Sequence, residues 1–339
     1  MQLSGPAPVS SHPLSEVRRE LPEPGAGELL LEVSACAVCR TDLQLVEGQL
    51  EPHRLPIVPG HQVVGRVAAV GQGVSDWLVG KRAGAIWLAS ADGVCSYCRS
   101  ERENLCPQAQ FTGWDVDGGY ATHALVRADF AVRIPDAFND EAAAPLLCGG
   151  VIGYRALRLA GLVPGMRLGL YGFGASAWLA IQVARHRGAR IHVATRSEGE
   201  RRRALSLGAE SVGEYGDLPP EPLDAAITFA PVGSVVVDAL RATAPGGRVV
   251  INAIHLDQIP SFDYDLLWSE RSLQSVANVT RRDAQEFLAL AAEVPILTEG
   301  RRYPLANANR ALADLAAGKI GAPAAVLIPE DGHRKAVHA

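Results

Sequence analysis

The stretch LYGFGASAWLAIQVARHRGARIHVATRS, residues 170–197, constrains the fold more than any other part of the chain. An apolar run enters Gly172-Phe173-Gly174, a helical pattern follows from Ala175 to Arg187, Gly188 stops it, and a second apolar run begins at Arg190. Glycines at 172 and 174 let the backbone turn tightly and approach a pyrophosphate. Small Ala177 lets the helix pack against a sheet with its N-terminal N–H groups aimed at the anion. A bare G-x-G-x-x-A also serves as an ordinary tight turn, but between a strand and a helix it marks a dinucleotide site, with Gly172, Phe173, Gly174 and Ala175 at the phosphates. The alternation continues through a helix over Gly199 to Leu207, DAAITFA, a helix near Val235 to Arg241, and GRVVINAI. Such a rhythm builds a parallel sheet with helices on both faces.

The end of the second apolar run bears on which dinucleotide is bound. An NAD site normally places Asp or Glu there to hold the ribose hydroxyls; this chain has Thr195-Arg196-Ser197. With no carboxylate at that position and with Arg196 and two hydroxyls, a 2′-phosphate is attracted, so NADP(H) is expected over NAD(H). The alternative is that Arg196 and Arg201-Arg202-Arg203 are simply solvated surface.

Upstream, from residue 29 to 150, short β-like runs (ELLLEVSACAV, HQVVGRVAAVG, RAGAIWLAS, ATHALVRA) alternate with Gly and Pro turns, the pattern of an irregular, mostly β domain. The C-terminal part, from RRDAQEFLALAAEV to AAVLIP, holds one or two helices and a strand, too little for a core of its own, and is expected to fold back onto the first domain. The expected domains are therefore 1–148 completed by 281–339, and 149–280. The tail EDGHRKAVHA is expected to be disordered.

Charge and cysteine content limit the function classes. With 32 basic against 37 acidic residues there is no basic excess for nucleic acid, and no apolar run reaches the roughly 18 residues needed to span a bilayer. The N-terminal MQLSGPAPVSSHP lacks a signal pattern, so a cytoplasmic protein acting on a small molecule is expected. Six cysteines in a chain this large, in a reducing compartment, point to metal rather than disulfides. Cys39 in CRTD, His61 in VPGHQVVGRV and Cys148 in PLLCGG fit one catalytic zinc of two thiolates and one imidazole with an open position. Taken singly, a His after a Gly is more often structural and a buried Cys more often packing than ligand. ADGVCSYCRSERENLC adds Cys95, Cys98 and Cys106, three thiols where a tetrahedral structural zinc needs four ligands.

The order CRTD, GHQ, cysteine-rich lobe, Cys148 and GxGxxA resembles the zinc-dependent medium-chain alcohol dehydrogenases over nearly the whole chain. The resemblance implies an α/β protein, with a GroES-like mostly-β catalytic domain and a Rossmann doubly wound parallel-sheet cofactor domain. It implies hydride transfer between NADP(H) and an alcohol, aldehyde or ketone, with zinc polarising the substrate oxygen, in a homodimer or homotetramer. Under it Thr41 relays the substrate proton, Asp42 orients the ligand histidine, Arg40 meets the cofactor phosphates, and Trp87 walls the substrate pocket. Laying the family's C-x2-C-x2-C-x7-C lobe on this sequence puts the first ligand at Asp92, giving Asp92, Cys95, Cys98 and Cys106 as a structural zinc site.

The sequence departs from the family in three places. Gln62 follows the ligand histidine where Glu is usual, Gln44 stands where many relatives pass the proton onward through a histidine, and Pro323-Ala324 stands where many have Gly-Arg. Two other readings compete: a zinc-independent quinone or enoyl reductase of the same superfamily, and a catalytically weak nucleotide-binding or redox-sensing protein of the same fold.

Overall fold

The structure is a computed structural model that describes residues 1–298, 300–320 and 324–330. The chain forms two compact units. One comprises Met1–Cys148, Asn278–Glu293 and the described residues from Thr298 onward; the other comprises Gly149–Ala277 and Val294–Leu297. Pro323 and residues 331–339 of the tail lie outside the described residues.

The second unit holds a six-stranded, all-parallel sheet. Its order is Ser211–Gly213, Arg190–Ala194, Arg167–Tyr171, Leu223–Thr228, Thr243–Ile251 and Ser272–Ser275. The chain starts at the central Arg167–Tyr171, winds outward one way, then returns to its other side. The order therefore reverses between Arg167–Tyr171 and Leu223–Thr228, and it is outside the carboxyl ends of strands at such a reversal that doubly wound sheets bind their ligands. Leu168, Leu170, Ile191, Val193, Ile227, Val249 and Val250 are fully buried, as expected for parallel strands covered on both faces. This is the α/β, doubly wound arrangement expected from the sequence.

One helix of this unit was not foreseen. Gly149–Ala160 buries Gly149, Gly150, Val151, Gly153, Ala156, Leu157 and Ala160 along one stripe, but its three glycines mask the helical period. The glycines serve packing: a Cβ on Gly153 would meet Ala180 Cβ and Ser176 O at 3.1 Å, so the helix lies almost in backbone contact with Ala175–His186.

The first unit is built on a seven-stranded sheet. Glu28–Val38 is its long member and pairs antiparallel with Val63–Val70, His123–Arg127 and Ala324–Ile328. Arg82–Ala85 and Val132–Arg133 extend the Val63–Val70 side, and Gly300–Pro304 extends the other. The apolar run RAGAIWLAS reads as one strand but is two. Thr112 draws the chain away by donating its N–H to Trp87 O (2.7 Å) and its hydroxyl to Ile86 O (2.8 Å). Leu88–Ser90 then pairs with Gln110–Phe111 instead. Leu29, Leu31, Val33, Val63, Tyr120, Leu312 and Leu327 share the core of this unit, so the C-terminal elements are part of it.

The helix Arg281–Glu293 begins with a reciprocal cap, Asp283 N–H donating to Thr280 Oγ1 and Thr280 N–H to Asp283 Oδ2. The buried carboxylate of Glu103 accepts from Arg281 N and Nε, and Glu101 pairs with Arg282. These bonds fasten the cysteine lobe to that helix.

Replacing Gly153 with Leu should overpack the two-helix contact and lower the free energy of unfolding by about 1–3 kcal/mol. The check is the urea midpoint; an unchanged midpoint would show that the helices do not approach this closely.

Candidate active site

Cys39 closes the strand Glu28–Val38 and precedes the short helix Arg40–Val46; His61 precedes Val63–Val70; Cys148 follows the turn Ala144–Leu147. The fold brings all three together, one possible ligand atom from each lying within 4.8 Å of the others. Cys39 Sγ and Cys148 Sγ are 4.0 Å apart. Gly60 makes the approach possible. Its φ is +97°, and a Cβ there would stand 2.3 Å from the Tyr120 ring and 2.9 Å from Cys36 Sγ.

One carboxylate holds the histidine. Asp42 Oδ1 lies 3.0 Å from His61 Nδ1, while Oδ2 accepts from Cys39 N–H at 2.8 Å and from the Tyr120 hydroxyl at 3.0 Å. With Nδ1 engaged by Asp42, His61 Nε2 is buried with no hydrogen-bond partner among the described residues. A buried, unpaired imidazole nitrogen beside two thiols fits a metal ligand, since zinc would replace the missing partner and take the thiols as thiolates. Burial opposes charging His61, but Asp42 and the Cys39 sulfur outweigh it and hold the pKa up to about 10. Cys39 is the more acidic thiol because Cys148 hydrogen-bonds to it, which outweighs burial; Cys148 is pushed up by that same bond and by burial.

The other expected residues divide between open and occupied. Thr41 is buried, with Oγ1 3.7 Å from Cys39 Sγ, and Arg40 is exposed at the start of its helix. Gln62 is buried with Nε2 donating to Ala37 O at 3.2 Å, which ties its amide to the sheet. The Trp87 ring centroid is 5.8 Å from that of His61, and Phe111 and Trp114 continue the cluster at 5.1 and 6.0 Å from Trp87. Tyr120 has no motif around it and becomes recognisable as part of the site only through its bond to Asp42.

In the cysteine lobe, Asp92, Cys95, Cys98 and Cys106 likewise present ligand atoms within 4.8 Å of one another. Asp92 Oδ1 accepts from Val94 N–H and Cys95 N–H at 2.8 and 2.9 Å, and these bonds hold its carboxyl well below the usual range. Desolvation and the Asp92 carboxylate push Cys98 up to about 12. Backbone N–H groups of Cys98 and Gln108 donate to Cys95 Sγ and Cys106 Sγ at 3.5 and 3.3 Å.

In the second unit, Gly172 has φ +92° at the end of Arg167–Tyr171, where the strand order reverses; a Cβ there would stand 2.9 Å from Ala230 N. Gly174 caps Ala175–His186 with no side-chain bond, Phe173 is buried, and Ala175 is exposed in the first turn. Arg196 is exposed, but Thr195 is not open as the sequence suggested. It is buried, and its hydroxyl donates to Glu200.

Comparison with known proteins bears on the whole chain. Residues 25–136 match the model of the alcohol dehydrogenase GroES-like domain, and residues 177–293 that of the zinc-binding dehydrogenase domain. The chain is 49% identical over 333 residues to a probable alcohol dehydrogenase of Mycobacterium tuberculosis, covering 96% of each. It is 34% identical to an alcohol dehydrogenase of Geobacillus stearothermophilus, covering 91% of this chain and 94% of that one. Among solved structures it resembles a cinnamyl alcohol dehydrogenase of Sorghum bicolor, with TM-score 0.87, 26% identity, and coverage of 96% and 97%.

Because its folded pKa is raised above the ordinary 6.5, His61 adds stability to the metal-free protein below pH 6.5 that is lost as pH rises through about 10. Asp42→Asn should bring the His61 pKa below its ordinary value, burial then being less opposed, and so reverse that dependence, stability falling as pH drops below 6.5. An NMR titration of the ring checks this.

Proposed function

The chain belongs to the zinc-dependent medium-chain alcohol dehydrogenase family, and on that premise we propose that it transfers hydride between NADP(H) and an alcohol, aldehyde or ketone with the help of one zinc. The observation that carries this reading is the convergence of Cys39, His61 and Cys148 around an imidazole nitrogen without a partner. When bound by these three residues, zinc supplies a Lewis acid that polarises the substrate oxygen, and the nicotinamide supplies or accepts the hydride.

The chain's own side chains do the rest. Asp42 keeps the His61 proton on Nδ1, leaving Nε2 for the metal, and is itself held by Tyr120 and the Cys39 N–H. The Thr41 hydroxyl, two residues past a ligand and close to Cys39 Sγ, holds and passes on the substrate hydroxyl proton. Gln44 is not a proton-transfer group, so the proton leaves by another group or by water. Gln62 acts as a support for the ligand loop through Ala37 O rather than as an acid or base. Asp92, Cys95, Cys98 and Cys106 would hold a second, structural zinc, Asp92 by its carboxylate, whose Oδ1 also accepts from two N–H groups. At the cofactor, the turn at Gly172 to Gly174 and the open helix end receive the pyrophosphate, and Arg196 favours the 2′-phosphate. Among the described residues no helix is long and apolar enough to cross a membrane.

A panel of aldehydes and ketones assayed with NADPH and NADH tests the reading. Turnover with a lower Michaelis constant for NADPH is expected; a clear NADH preference would refute the cofactor choice. Cys39→Ala and His61→Ala should abolish turnover while NADPH still binds, and unchanged turnover in either would refute the metal assignment. Elemental analysis should give two zincs per chain. Cys95→Ser should lose one zinc and some thermal stability; if it leaves metal content and stability unchanged, the lobe holds no metal.

A further inference from the structure

We infer that Glu200 sets the strength of dinucleotide discrimination: its carboxylate accepts from a ribose 2′-hydroxyl and opposes a 2′-phosphate, working against Arg196. This rests on the reading that the turn at Gly172 to Gly174 holds a nicotinamide dinucleotide.

The strand that ends at Ala194 bears no carboxylate, yet the structure brings one there from the next helix. Ser197 is the N-cap of Glu198–Ser206 and Glu200 its third residue, the S-x-x-E spacing in which a Glu usually turns back to the capping residue's own N–H. The first half of that arrangement is present, with Glu200 N–H donating to Ser197 Oγ at 3.3 Å. The carboxylate, however, takes the Thr195 hydroxyl at Oε2, 2.5 Å away, and its Oε1 makes no hydrogen bond among the described residues. The Thr195 backbone is fixed from both sides, its N–H donating to Gly213 O and its carbonyl accepting from Arg201 Nη1 at 2.7 Å. Gly172 N–H donates to Ala194 O, so this strand end is directly beside the glycine turn. Glu200 therefore stands at the place where a strand-end carboxylate holds a ribose, with one acceptor oxygen uncommitted.

The opposing charge is as well defined. Arg201 is engaged with Thr195 O and Glu214, and Arg202 with Glu198. Arg196 is exposed and makes no hydrogen bond or ion pair among the described residues, which leaves it available to a phosphate. Both charges bear on one neighbour. Tyr215 is raised by burial, lowered by a bond to Thr195, raised again by Glu200 and lowered by Arg196. A 2′-hydroxyl offers a proton to Glu200, whereas a 2′-phosphate offers only negative charge to it and gains only from Arg196. The expected NADP(H) preference is thus held in check by one carboxylate.

The test is the dissociation constants of NADPH and NADH for the full chain, read by nucleotide fluorescence, in wild type, Glu200→Gln, Glu200→Asp and Arg196→Ala. Glu200→Gln keeps an acceptor for Thr195 while removing the charge, and should shift the NADPH:NADH affinity ratio toward NADPH by roughly tenfold, about the effect of one charged contact. Glu200→Asp should stay near wild type, and Arg196→Ala should shift the ratio toward NADH. A ratio unchanged in Glu200→Gln, with both nucleotides still bound and the melting temperature kept, would overturn the role of Glu200 alone. Wild type that binds neither nucleotide would overturn the cofactor reading and this inference with it.

Discussion

A buried carboxylate is unfavourable unless its oxygens are satisfied, and the whole candidate site is arranged around satisfying one. Asp42 receives the Cys39 N–H, the Tyr120 hydroxyl and the His61 ring. These three come from the end of one strand, from the loop before another and from the segment that crosses beneath Gly60. Removing the charge would loosen the ligand loop, the imidazole orientation and the Tyr120 ring together. The same carboxylate is why His61 tolerates a proton in a buried place, and why its far nitrogen is left facing two thiols.

The second unit depends on a different constraint, the reversal of strand order beside Arg167–Tyr171. A left-handed glycine at 172 turns the chain into a helix whose first N–H groups have no side-chain cap. A helix end of this kind can bind an anion without any special residue, which is why composition tells so little about such a site and position tells so much. On the proposed cofactor reading, discrimination between dinucleotides falls to the neighbouring strand end, where side chains do matter.

Local pattern carried the architecture well. The strands from Glu28 to Val38 and Arg167 to Tyr171 and the helix from Ala175 onward are legible from periodicity and glycine placement alone. The helix Gly149–Ala160 was hidden because its glycines, present for close packing, erase the helical signal. Cys39, His61 and Cys148, which we propose as zinc ligands, stand in recognisable motifs, since metal chemistry restricts residue type. Tyr120 and Glu200 do not, because their roles arise from side chains meeting across the fold. Glu200 also shows how a local rule can mislead. Its spacing from Ser197 describes a helix cap, but Thr195, buried five residues earlier, competes for the carboxylate and wins. The break at Trp87 has the same origin, a threonine far along the chain supplying hydrogen bonds that a strand ladder would otherwise supply.

The discontinuity of the first unit has a consequence for how the chain is made. Glu28–Val38 leaves the ribosome early, but one of its partners, Ala324–Ile328, and the helix that anchors the cysteine lobe through Glu103 are synthesised only after Gly149–Ala277, the bulk of the parallel-sheet unit. Until then the edge at Cys36 to Val38 is unpaired, and contacts of very long sequence separation must close last. The parallel-sheet unit is nearly contiguous, lacking only Val294–Leu297 of its residues when Ala277 emerges, so it can take shape first. Premature termination or slow synthesis between residues 277 and 330 would therefore release a chain with an ordered parallel-sheet unit and an open, sticky sheet.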